Sequence, residues 1–146
     1  MKKYIFMGSM LLGVLLCANF TYTTQEVHRI LKAMLELEAV QDMLEKEQTD
    51  AQFIIVTNDL LPDDFHLFYG DQQIEVLAEQ RGYTEQSKDK IIEIIRFDAS
   101  EQEAHIKFNY GDYRSNIKLR KEEDAWIAQS ILIRGAGQLY WLIDKN

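Results

Sequence analysis

The chain has 146 residues and a formal net charge of −8 at pH 7, with 47% hydrophobic and 27% charged residues. This length and composition predict one globular domain with enough apolar residues for a core. The acidic balance disfavours phosphate backbones and anionic lipids as ligands, because both attract a concentrated basic patch. The nearest basic run, residues 118–121, is followed at once by acids at residues 122–124 and is typical of a solvated hairpin. We therefore expect no nucleic acid among the partners.

The first residues have the pattern of an export signal. A short basic start precedes an apolar run at residues 5–16, which has the length of a signal-peptide h-region and is too short to span a bilayer as a helix. Ordinary cleavage after Ala18 is one interpretation, and a lipid anchor at Cys17 is the less favoured alternative because leucine precedes that cysteine. The pattern predicts a signal peptide at residues 1–18 of an exported bacterial protein, periplasmic or secreted.

Cleavage after residue 18 would leave one domain, residues 19–146. It removes two lysines and no acid, so the formal charge of −8 becomes −10. It also removes the cysteine, which leaves the mature chain without a disulfide, a thiol nucleophile or a cysteine-based metal site. We expect no transmembrane segment in the mature chain and no cofactor.

A helix start is marked by Thr23 and Glu26, which have the spacing of a capping box. The Thr23 hydroxyl is predicted to accept from the Glu26 amide, and the Glu26 carboxylate to reach back to the Thr23 amide. Five apolar residues follow at helical spacing, namely Val27, Ile30, Leu31, Met34 and Leu37. We predict one long helix from about residue 24 to about residue 46, with a bend where Glu38 would fall on the apolar stripe.

The middle of the chain alternates short β-type segments with turns. Residues 53–56 form an apolar run, and residues 65–69 and 74–77 read as a hairpin that turns at residues 69–72. Pro62 excludes a central strand from the loop that precedes this hairpin.

The rest of the chain is organised around an antiparallel meander. Its four predicted strands cover residues 90–97, 103–110, 114–121 and 126–134. In the last of them, Ile127, Ile131 and Ile133 are expected on one face and Trp126 and apolar neighbours on the other, so this strand should be central or covered on both sides.

A flexible joint at residues 135–137 leads into an apolar tail at residues 139–143. The preferred interpretation is that this tail folds back over an open side of the sheet. The alternative is a docking segment that adds to the sheet or groove of a partner protein.

No motif in the chain specifies a reaction. His28, His66 and His105 lie on three separate elements without metal-ligand spacing. His66 and His105 could share a sheet face with nearby acids, but isolated histidines on a wet face are the preferred explanation. We find no phosphate loop, nucleophile elbow or zinc-protease helix. We assign no catalytic or metal residue, and the pocket or interface candidates are His66, His105, Tyr110, Trp126, Tyr140 and Trp141.

The order of elements resembles the cystatin-like and NTF2-like α+β folds. The resemblance rests on the helix at residues 23–46 and on the closing pattern of residues 104–108, 117–119 and 124–128, and it covers about half of the mature chain. It implies an α+β domain in which a long N-terminal helix packs on a curved antiparallel sheet, and one helix favours the cystatin-like form. Residues 73–77 lack the glycine of the cystatin inhibitory loop, so protease inhibition is not implied, and no NTF2-like enzymatic residue set maps onto this chain.

Three functional hypotheses follow. The first is a non-enzymatic exported module that binds an envelope protein, as the absent catalytic set and the apolar tail suggest. The second is a small-molecule binder or NTF2-like enzyme with a pocket between helix and sheet. The third is an immunity or inhibitor protein that uses the acidic end of the helix.

Overall fold

The computed structural model describes residues 23–46, 53–61, 64–79, 91–135 and 138–144. The predicted export signal lies outside these residues. The described chain is an α+β domain with two helices and one sheet of eight strands. The helices are α1 (Thr24–Leu35) and α2 (Glu38–Lys46). The strands are β1 (Ile54–Val56), β2 (Phe65–Tyr69), β3 (Gln72–Leu77), β4 (Ile91–Ala99), β5 (Glu103–Tyr110), β6 (Tyr113–Glu122), β7 (Ala125–Gly135) and β8 (Gln138–Asp144).

The prediction of one long helix is wrong, because this part of the chain forms two short helices. α1 ends at Leu35, and the Glu36 amide donates to the Lys32 carbonyl as the C-cap. A straight continuation would place Glu38 one turn beyond Met34, which is fully buried. The break at residues 36–37 rotates the chain so that Glu38 is exposed while Val40 reaches the core.

The sheet is open and mixed, with the strand order β2-β3-β1-β4-β5-β6-β7-β8. The meander from β4 to β7 and the β2–β3 hairpin are antiparallel as predicted, and Gly70 takes a positive φ of 58° in the hairpin turn. The expectation of a wholly antiparallel sheet is wrong at β1, which pairs in parallel with β3 and with β4. The β2–β3 hairpin returns the chain alongside β1, which makes that parallel pairing possible.

The sheet wraps around the helices. α1 contacts β2 at one edge of the sheet and β7 near the other. The His28 ring stacks on Phe65 with centroids 4.6 Å apart, and the Gln41 amide donates to the Tyr69 hydroxyl at 2.6 Å. The concave face and the helices thus enclose the core. None of the helices in the described part of the chain is long and apolar enough to cross a membrane.

Two β-bulges change which side chains face the core. In β4 the register shifts between Ile94 and Arg96, and Ile95 becomes an exposed extra residue. In β7 the corresponding shift leaves Gln129 as the extra residue opposite the Lys118–Leu119 step of β6. The predicted faces of the last meander strand are therefore partly wrong, because Trp126 shares the buried face with Ile131 whereas Ile127 is 39% exposed.

The apolar tail extends the sheet instead of covering it. β8 pairs antiparallel with β7 and becomes the edge strand, with a further register shift between Ile133 and Arg134. β7 is consequently an internal strand, as its sequence predicted.

The bulge in β7 can be tested with two isoleucines that the alternation pattern treats as equivalent. Ile131→Ala should lower the free energy of unfolding by about 2 to 5 kcal/mol, because it leaves a cavity in the core. Ile127→Ala should lower it by less than about 1 kcal/mol, because that side chain is partly exposed. Urea unfolding of both variants measures the difference, and equal losses would contradict the bulged register.

Candidate functional site

The interface between the helices and the sheet is filled with apolar side chains. Tyr110 and Trp126, two of the predicted site candidates, lie in this core and are 2% and 8% exposed. Ser115 is also buried there, and its hydroxyl lies 3.8 Å from the Met43 sulfur under α2. Among the described residues, no carboxylate, lysine, arginine or histidine is fully buried in the core, although the Nε2 atom of the half-buried His28 is enclosed without a hydrogen-bond partner. The described core is therefore built almost entirely from apolar side chains.

The first turn of α1 is fixed to the sheet by three side chains, which we call the Glu26 anchor: Glu26, Lys121 and Trp126. One oxygen of the Glu26 carboxylate accepts from the Lys121 ammonium at 2.8 Å and from the Trp126 indole at 3.0 Å. The Lys121 ammonium also lies 5.7 Å from the centre of the Trp126 ring. The anchor thereby connects α1 to β6 and β7.

The predicted capping box is half correct. The Thr23 hydroxyl accepts from the Glu26 amide at 3.2 Å, as expected. The Glu26 carboxylate does not cap Thr23, because Lys121 and Trp126 offer it two donors, one of them charged.

The anchor keeps Glu26 ionised. The hydrogen bond from Lys121 lowers the pKa of Glu26 below its ordinary value, and the bond from Trp126 adds to this effect. Partial burial acts in the opposite direction and is outweighed. A carboxylate with a lowered pKa and two donors on one oxygen is a poor general acid or base near neutral pH, so this cluster is best explained by stability.

A polar cleft of about 570 Å³ opens beside the anchor. It lies between the start of α1 and the β4–β5 and β6–β7 turns, and its lining is Thr23, Glu26, Ser100, Glu101, Gln102, Lys121, Glu123 and Asp124. Lys121 already pairs with Glu26, and the remaining charged groups are carboxylates. The described residues that line this cleft do not bring together a set of side chains suited to catalysis.

His66 and His105 do not come together. They lie on β2 and β5, with β3, β1 and β4 between them, which corresponds to roughly 19 Å of sheet width. His66 is exposed, and His105 Nε2 donates to the Asn116 side-chain oxygen at 2.5 Å. Among the described residues, no group of three or more potential ligands is placed to hold a metal ion.

Two further carboxylates, Glu38 and Glu93, lie next to apolar residues in the sequence, and both have structural surroundings. Glu38 is exposed where the helix breaks. Glu93 accepts from the Asn58 side-chain amide at 3.1 Å, whereas the nearby Arg96 pairs with Asp98.

A second open cleft of about 510 Å³ lies on the convex side of the sheet, which we call the outer face. His105 and Lys118 line it, together with Arg96, Asp98, Ala99, Ser100, Glu103, Ala104, Leu119 and Gln129. Because its walls are polar and open, it suits contact with a macromolecule better than enclosure of a small apolar ligand.

The cations of this outer face were not predicted from the sequence. Lys107, Arg114, Lys118 and Arg134 all point outward from β5, β6 and β7. They are scattered along the chain, so no basic run reveals them. Counting charges at every second residue of neighbouring strands, with the register known, would have found them.

Tyr140 and Trp141 lie on β8, where Trp141 is opposite Ile133 of β7. In the part of the chain that the structure describes, no strand pairs with the outer side of β8. These two candidates therefore belong to an open sheet edge.

Comparison of the chain with protein-family models, curated proteins and solved structures gives no match.

The Glu26 anchor should contribute measurably to stability. Glu26→Ala removes two hydrogen bonds and leaves two donors unpaired, so we expect a loss of about 1 to 3 kcal/mol in the free energy of unfolding. Glu36→Ala is the matched control, since it removes an exposed pair with Lys32 at 3.7 Å and should change stability by less than about 0.5 kcal/mol. Chemical denaturation of both variants tests this, and equal effects would contradict the anchor.

The lowered pKa of Glu26 also predicts a pH dependence. A carboxylate whose pKa is lower in the folded state stabilises the fold above its ordinary value of 4.5, and this stabilisation is lost as the pH falls through the folded value. Glu26→Gln should therefore be less stable than the wild type at neutral pH, and the difference should narrow below about pH 4. Urea unfolding across this range is the measurement, and a constant difference would contradict the assignment.

Proposed function

We propose that the protein is a non-enzymatic binding module of the cell envelope that takes a β-strand of a partner protein onto the outer edge of β8. Its place in the envelope rests on the export signal predicted at residues 1–18. Backbone hydrogen bonds to β8 supply affinity in this mode of recognition, and alternate side chains supply specificity.

The observation that carries this proposal is the outer edge of β8, with which no strand of the described chain pairs. Edge strands are usually protected by lysine, proline or other charges, because their free backbone groups attract further strands. Residues 139–143 of β8 are Leu, Tyr, Trp, Leu and Ile, and none of them provides such protection. The opposite edge, β2, is shorter, with five residues against seven.

The packed interior favours binding over catalysis. A pocket enzyme needs a cavity with a polar group of shifted pKa. The buried polar residues in the described chain are the neutral Thr57 and Ser115, and the enclosed Nε2 atom of His28 lines neither cleft. The clefts that flank the β4–β5 turn are open and polar. The hypothesis of an inhibitor that acts through the acidic end of α2 has no comparable support.

Proline substitutions at neighbouring positions of β8 provide the test. Successive residues of a strand direct their N–H groups to opposite sides, so one of Leu142→Pro and Ile143→Pro removes a hydrogen bond to β7 and the other removes a free outward N–H. We expect the variant that keeps the wild-type melting temperature to lose the partner. Native mass spectrometry of protein purified from its host's envelope detects whether a second polypeptide is retained.

Phe68→Lys on β2 is the control, because it changes an exposed side chain at the opposite edge. It should retain the partner. Retention by both proline variants would overturn strand addition at β8. A bound compound of a few hundred daltons in place of a polypeptide would favour the pocket hypothesis.

A further inference from the structure

The outer face of β5, β6 and β7 carries nine side chains in a regular array, which we call the outer grid. Arg114, Lys118 and Arg134 are exposed, and the other six are half-buried. The register aligns them in three rows, namely Asn109, Arg114 and Arg134; Lys107, Asn116 and Leu132; and His105, Lys118 and Ser130. Neighbouring strands lie about 4.8 Å apart and successive rows about 6.7 Å apart, so the grid spans roughly 10 by 13 Å.

The outer grid is positively charged on an acidic protein. It contains four cations and no carboxylate, whereas the chain has a formal charge of −8. Within the described part of the chain, Lys107, Lys118 and Arg134 form no ion pair. The Arg114 guanidinium donates to backbone carbonyls of Gly111 and Tyr113 and forms no ion pair with a carboxylate of the described residues.

Cations beside the grid, in contrast, are paired. Arg96 pairs with Asp98, and Arg120 lies 3.7 Å from Glu103. The array of unpaired cations is therefore limited to β5, β6 and β7, and paired charges border it.

The grid includes an arrangement that disfavours folding. Arg114 and Arg134 are directly opposite each other on β6 and β7. Like charges at directly opposite positions of antiparallel strands are destabilising. An anionic partner on this face would relieve that repulsion. The arginine pair is therefore better explained by binding than by a contribution to the stability of the fold.

The surroundings of the grid favour a protein as the partner. Single-stranded nucleic acid is usually held by aromatic stacking, but Phe108, Tyr110 and Tyr113 of these strands are buried on the inner face. The carboxylates that border the grid would repel a continuous anionic surface such as a bilayer. A protein surface can place its own carboxylates over the cations alone, and it can also contact the exposed side chain of Ile127 nearby.

We propose that the outer grid binds an acidic protein surface, with Lys107, Lys118, Arg114 and Arg134 contacting carboxylates of the partner. This second surface is independent of strand addition at β8.

The test uses the purified full chain and a synthetic peptide of ten glutamates, followed by fluorescence anisotropy at low and physiological salt. Lys118→Glu should weaken binding by about tenfold or more, because it reverses a cation at the grid. Lys32→Glu makes the same change of net charge on the exposed side of α1 and should alter binding by less than about twofold. Equal losses in the two variants would show that only net charge matters and would overturn the proposal.

Arg134→Glu distinguishes a binding role from a structural one. It places a carboxylate opposite Arg114, so the melting temperature should rise by about 1 to 4 °C while affinity for the peptide falls. Unchanged affinity would overturn the proposal. Tighter binding of phosphatidylglycerol vesicles or duplex DNA than of the glutamate peptide, in the same assay, would overturn the choice of a protein partner.

Discussion

The hydrogen bonds that converge on the Glu26 carboxylate unite the two halves of this fold. Glu26 lies in the first turn of α1, whereas Lys121 and Trp126 come from β6 and β7 near the far side of the sheet. At the other edge, His28 and Gln41 contact β2. The helices therefore hold both sides of an open sheet, and the sheet curves around them. Because the helices fill the concave side, partners are left with the convex face and the strand edges.

The curvature of the sheet and its β-bulges give it one buried face and one face that is open to solvent. The extra residues Ile95 and Gln129 change the phase of β4 and β7, so that Phe97 and Ile131, which follow them, return to the core. Without these shifts, the second half of each strand would direct its apolar residues to solvent. The same phase places Lys107, Lys118 and Arg134 on a common outer surface. The packing of the core and the positions of the charges on the outer face thus depend on the same pairing register of the strands.

Local signals in the sequence predicted local structure well. The Thr23 cap, the β2–β3 hairpin and the antiparallel meander were all predicted, because capping spacing, turn glycines and alternation act over a few residues. The position of Glu38 on the apolar stripe led us to predict a bend, whereas the helix in fact ends at Leu35 and a second helix begins at Glu38. The parallel pairing of β1 was not predictable, since three apolar residues, Ile54–Val56, carry no information about strand direction. The partners of Glu26 and the outer grid depend on long-range register, which no short pattern encodes.

The central position of β1 has a consequence for the order of folding. Its neighbours β3 and β4 come from later parts of the chain, and register pairs such as Ile54 with Ile91 close long loops. The turns of the β4–β7 meander close much shorter loops, so their entropic cost is lower. We infer that the meander forms early and that β1 pairs late, once the hairpin and β4 offer it two edges. Until β1 pairs, β3 and β4 each have one free edge at the middle of the future sheet, so these two edges are where a partly folded chain would misassociate.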